Sequence, residues 1–117
     1  MKIELRFRGL PSSSALREHV VKRVRTQLSR FGTQLSHILV RLEDVNGPRG
    51  GRDKRCLVTV RGPGLKLSPL EQLSDDAYAA SALALERVSF AVGRELQRGR
   101  TKKRGAPALR DLIGAPA

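Results

Sequence analysis

The sequence predicts an α+β domain of order β-α-β-β-β-α, a four-stranded sheet with both helices packed on one face in a two-layer, dsRBD-like architecture. Three observations lead there. Apolar and polar residues alternate over residues 2–8, 37–44 and 55–61, the period of half-buried strands. Two longer segments carry apolar stripes at helical spacing. Glycine and proline clusters punctuate the joins.

In the first strand Ile3, Leu5 and Phe7 point one way and Lys2, Glu4, Arg6 and Arg8 the other. Gly9 and Pro11 end it, and Ser12, Ser13 and Ser14 offer capping hydroxyls to a helix over about 13–31 with Glu18 in its first turn. Leu16, Val20, Val24, Leu28 and Phe31 fall within an arc of roughly 120°, wide enough to cover a sheet. The far side of that helix carries Lys22, Arg23, Arg25 and Arg30, and Gly32 is expected to stop it. Ile38, Val40 and Leu42 then face inward in a second strand. Cys56, Val58 and Val60 do so in a third, and the turn-rich basic segment 46–52 joins the two as a hairpin.

After Gly62-Pro63-Gly64, Leu65 and Leu67 bracket Lys66 in an expected short fourth strand, ended by Pro69. Ser74, Asp75 and Asp76 cap the second helix and set negative charge at its positive dipole end. Ala77, Tyr78, Ser81, Leu85, Val88, Val92 and Leu96 share an arc of about 100°, while Arg87, Arg94 and Arg98 line a different face. From Gly99 the pattern lapses. Residues 1–98 are therefore expected as one domain, and 99–117 as a disordered basic tail holding Arg100, Lys102, Lys103 and Arg104.

Charge narrows the partner. Lys plus Arg number 23 against 11 for Asp plus Glu, a formal charge of +12 on 117 residues. So dense a positive surface repels itself and suits a polyanion, nucleic acid before membrane. The single cysteine excludes an internal disulfide and a cysteine zinc site, which fits a reducing cytoplasm. No apolar run is long enough to span a bilayer, and the opening residues alternate in charge instead of forming a signal sequence. Aromatic residues make up 3% of the chain with no Trp, which favours backbone and shape recognition of folded RNA over stacking on single-stranded bases.

Catalytic and cofactor chemistry find no footing. His19 and His37 lie on different elements, Gly62-Pro63-Gly64 lacks the Lys-Ser or Lys-Thr of a phosphate loop, and Cys56 points into the core. No enzyme activity, metal or cofactor is expected. Arg49, Arg52, Lys54 and Arg55 are placed to reach RNA from the hairpin loop. Leu83 and Phe90 project from the second helix away from the core. They form an apolar patch to be covered by Leu109, Leu112 and Ile113 of the tail or by weak self-association with a second copy.

Particular residues add a resemblance over residues 1–98. Ala15-Leu16-Arg17-Glu18-His19-Val20 followed by Lys22-Arg23 and Arg30-Phe31, and Asp76-Ala77-Tyr78-Ala79-Ala80 followed by Leu85-Glu86-Arg87-Val88, resemble the two helices of the ribosome hibernation promoting factor family. These are ribosome-associated translation inhibitors of stress and stationary phase. The resemblance implies a non-enzymatic protein on the small ribosomal subunit. Its basic helix faces would lie against ribosomal RNA at the decoding region, blocking messenger and transfer RNA by occupancy. It implies RNA contact for Lys22, Arg23, Arg87 and Arg94, and Tyr78 packed on the sheet. Helical geometry adds Arg25, Arg30 and Arg98, and the cluster Lys102, Lys103 and Arg104 is expected to sample phosphate. Three features depart from the family: Ser81 replaces an apolar side chain, Gly93 sits inside a helix at about 1 kcal/mol relative to Ala, and the loop Gly47-Pro48-Arg49-Gly50-Gly51 is unusual. The alternative is a generic double-stranded-RNA-binding module, whose α-β-β-β-α order lacks the first strand.

Overall fold

A computed structural model describes residues 1–10, 13–45 and 53–105, with side chains to 98. The alternating segments become β1 (Lys2–Arg8), β2 (His37–Asp44) and β3 (Lys54–Arg61), and the two stripes become α1 (Ser14–Leu28) and α2 (Ala77–Gly105). The element order and the α+β class are those the sequence predicts.

The sheet runs β1-β2-β3-β4. β1 lies parallel to β2, with Leu5 opposite Val40, so α1 serves as the crossover that a parallel pair requires. β2 and β3 form an antiparallel hairpin with Val40 opposite Val58. Its loop, with Arg49 and Arg52, lies outside the described residues. Charged side chains along β1, at one edge of the sheet, discourage pairing with another chain.

The fourth strand departs from expectation. β4 is Leu70–Ser74, beyond Pro69, and not the Leu65–Leu67 segment. Gly64 has φ +72 and the Leu65 amide donates to Gly62 O at 3.1 Å, so the chain is still turning where a strand was expected. Leu65 and Leu67 nonetheless pack against the core from that irregular segment. β4 escapes an alternation search because Gln72 occupies the side facing α2, where an apolar residue would have marked it.

Ser13 caps α1 through its hydroxyl, which accepts from Leu16 N at 3.1 Å. α1 ends at Leu28, earlier than Gly32 suggests, and tightens into a 3-10 helix over Ser29–Gln34 that passes through the glycine. Asp76 caps α2, accepting from Ala79 N at 3.2 Å. α2 continues to Gly105, past the boundary expected at 98. Lys and Arg are good helix formers, and cations suit the negative end of a helix dipole. The lone Gly99 therefore does not end α2. The tail beyond 105, with Leu109, Leu112 and Ile113, lies outside the described residues.

Both helices bury their stripes on the same sheet face. Leu16, Val20, Val24 and Leu28 of α1 join Leu85, Val88 and Val92 of α2 over Ile38, Val40, Leu42, Cys56, Val58 and Val60. Ala77, Ala80 and Ala84 let α2 lie close to the strands. Ser81 is fully buried yet satisfied, its hydroxyl donating to Tyr78 O at 3.0 Å within the helix. A polar residue is tolerated there because it brings its own partner.

Candidate nucleic-acid interface

The helix layer presents most of its cationic side chains to solvent. Lys22, Arg23, Arg25, Arg30, Arg87, Arg94 and Arg98 are all exposed, but they do not form one stripe. Arg30, Arg94 and Arg98 converge on an open groove of about 750 Å³ between the 3-10 segment and α2, floored by Phe31, Ser89 and Gly93 and rimmed by Phe90. Lys22 and Arg25 meet Arg17 and the carboxylate of Glu18 at a second groove of about 480 Å³, on the β1 side of α1 beside Leu5 and Val21. Arg87 lies elsewhere, donating to Glu71 O at 3.1 Å and Gln72 Oε1 at 3.0 Å over β4. Lys102, Lys103 and Arg104 belong to the last turns of α2, where only the backbone is described.

Arg30 is held in place. Its guanidinium carbon stands 4.6 Å from the centre of the Phe31 ring, and Nη2 donates to Ser89 Oγ at 3.0 Å. The Ser89 hydroxyl in turn donates to Gln27 O at 3.1 Å, tying α2 to α1. The cation is thus fixed before any ligand arrives, which lowers the ordering cost of binding. In the sequence Ser89 is one serine on a helix and carries no signal until its partner on α1 is known.

The sheet side is paired differently. Arg6 lies 3.9 Å from Glu4 and Arg8 lies 3.8 Å from Glu43, while Arg55 sits between Glu43 at 3.4 Å and Glu71. Lys54 bonds Asp53 at 2.9 Å and Asp44 at 3.4 Å. Lys54 and Arg55 are therefore engaged in ion pairs within the sheet, contrary to a role as loop-tip RNA ligands. Asp53 is buried at the base of the hairpin. The hydrogen bond from Lys54 holds its carboxyl below the ordinary value of 3.8 against the opposing effect of burial. The same bond raises the Lys54 ammonium above 10.5.

Among the described residues Lys22, Arg23, Arg25 and Arg94 have no carboxylate within ion-pair distance, whereas Arg98 has Glu95 at 3.3 Å. Tyr78 corrects an implied contact: it is 40% exposed and meets His19 of α1 edge-on, with ring centres 4.9 Å apart, instead of packing on the sheet. Leu83 and Phe90 are exposed as expected. No group of metal-binding side chains occurs among the described residues, and no described helix is long and apolar enough to cross a membrane.

Fold and surface together define a class: a small α+β domain with a cationic helix layer over one face of a four-stranded sheet. Residues 3–103 match the pattern of the Sigma 54 modulation protein / S30EA ribosomal protein family, and the chain belongs to that family. It is a family of ribosome-associated factors, not of enzymes.

Solved structures agree. The N-terminal domain of Protein Y from Thermus thermophilus is similar at a TM-score of 0.65 and 28% identity, over 80% of this chain and 98% of that one. A ribosomal subunit interface protein from Coxiella burnetii shares the fold at a TM-score of 0.65 and 23% identity, over 80% and 96%. No curated protein gives a match.

Proposed function

We propose that the chain is a cytoplasmic, non-enzymatic inhibitor of translation that binds the small ribosomal subunit through its helix layer. Lys22, Arg23, Arg25, Arg30 and Arg94 neutralise ribosomal RNA phosphates, with Arg87, Arg98 and the Lys102, Lys103 and Arg104 cluster adding to the field. Bound at the decoding region, the domain excludes messenger and transfer RNA by occupancy. The observation that carries this reading is the group of solvent-exposed cations on the helix layer without carboxylate partners, in a chain of the ribosome-associated family.

Such binding releases counterions and is steeply salt-dependent. With about five phosphate contacts, doubling the salt weakens binding by about 20-fold. The test is co-sedimentation with small subunits on a sucrose gradient, with a duplex RNA of unrelated sequence as competitor. Migration with the subunit in the presence of excess duplex supports the assignment. Equal binding to any duplex supports the generic double-stranded-RNA module instead.

A further inference from the structure

We propose that the groove between Phe31 and Phe90 takes one unpaired RNA nucleotide, its base stacked on the Phe90 ring and its flanking phosphates held by Arg30 and Arg94. This deepens the RNA-binding reading and rests on it.

Four observations converge on the site. Phe90 is 65% exposed, so its ring does almost nothing for the core. Aromatic residues are scarce, yet two of the three Phe in the chain line this one groove. Arg30 is fixed there by the Phe31 ring and Ser89, with its remaining N–H groups free to meet an anion. Gly93 leaves the groove floor bare: a Cβ there would lie 3.7 Å from Phe31 Cζ, and any longer side chain would extend into the space. The volume of about 750 Å³ is within the range of about 300–1,000 Å³ usual for small-ligand sites.

Charge decides the occupant. A second copy seated on Phe90 would set Arg30 and Arg94 against their own counterparts, on chains that each carry +12. A nucleotide brings the opposite sign. A continuous duplex hides its base faces, so the ligand is a nucleotide outside a helix, as in a loop or bulge.

The experiment uses the full chain and purified small subunits, with affinity measured at two salt concentrations. Phe90→Leu keeps an apolar side chain at an exposed position and removes the ring. Binding is expected to weaken by about 10-fold, as for loss of one stacked base, with an unchanged salt slope because no phosphate contact is lost. Phe90→Trp is expected to retain affinity. As the only Trp in the chain, it should report stacking by quenched emission on binding.

Wild-type affinity in Phe90→Leu, alongside lost binding when Lys22, Arg23 and Arg94 are reversed to Glu, overturns the stacking site and leaves the RNA face standing. A change from dimer to monomer in Phe90→Leu without RNA overturns it in favour of self-association. Failure of the wild-type chain to bind subunits removes both readings.

Discussion

On the uncovered face of the sheet Arg6, Arg8 and Arg55 stand beside Glu4, Glu43 and Glu71, whereas on the helix layer Lys22, Arg23, Arg25 and Arg94 stand in water without such partners among the described residues. The sheet face keeps Arg41 and Arg61 as exposed cations, so it is attenuated, not neutral. Exposed ion pairs contribute at most about 1 kcal/mol each to stability. Their larger effect here is on the field: carboxylates offset Arg6, Arg8 and Arg55 on the sheet face, whereas Lys22, Arg23, Arg25 and Arg94 on the helix layer act at a distance without that offset. Total charge alone would have treated the two sides alike.

The strongest way to break this comparison is to reverse charge on each side in turn. Lys22→Glu, Arg23→Glu and Arg94→Glu together should weaken binding to small subunits by about 1,000-fold while leaving the melting temperature nearly unchanged. Arg6→Glu, Arg8→Glu and Arg61→Glu should cost less than about 10-fold when both triples are compared by co-sedimentation with small subunits. Equal losses from the two triples would mean that the helix layer is not the binding side.

The core that holds the layer to the sheet comes next. Leu85→Ala empties a fully buried site and should cost about 2–5 kcal/mol in urea unfolding. Gly62→Ala tests the junction with the 3-10 segment. A Cβ at Gly62 would run into the carbonyl of Gln34, so the end of the 3-10 segment that carries Arg30 and Phe31 must shift, and binding should fall together with stability.

Acid separates the two sides by a different route. Asp53 titrates below 3.8 in the folded chain, so its contribution is complete above that value and is lost as the pH falls through the lower folded value. Lys54, raised above 10.5, contributes below that value and loses its share as the pH rises beyond it. Asp53→Asn should therefore lower stability at neutral pH and flatten its decline below pH 3.8, as followed by circular dichroism. Reversal of the helix-layer cations should leave that acid limb in place.

The smallest expected effect is at Gly93. Gly93→Ala should raise stability by about 0.5–1 kcal/mol, since the new methyl makes ordinary contact with Phe31. Differential scanning calorimetry reads the change.

Where one physical signal dominated, the sequence was sufficient. Strict alternation delimited β1 and β2, and the stripes of α1 and α2 named most of the helical core. β4 was hidden because its inward Gln72 answers to Arg87 on the next element, α2, and not to an apolar neighbour. Gly32 misled because a 3-10 turn accepts glycine without ending. Among the candidate ligands, helical spacing placed the cations outside the core correctly. It could not show which of them share a groove, since that depends on how α2 lies against the 3-10 segment. Lys54 and Arg55 looked like solvent-facing bases because their acids come from β2, β4 and the adjacent buried Asp53.

The buried position of Cys56 bears on how such a protein endures oxidation. Its thiol lies in the centre of the sheet, and burial pushes its pKa up to about 12, so almost no reactive thiolate exists near neutral pH. The only other sulfur belongs to Met1, at the exposed start of the chain and outside the core. Peroxide therefore meets no sulfur whose modification would loosen the fold, and two molecules have no accessible thiols to join them. Redox state therefore has little purchase on the folded domain, whose one thiol is sealed inside the sheet.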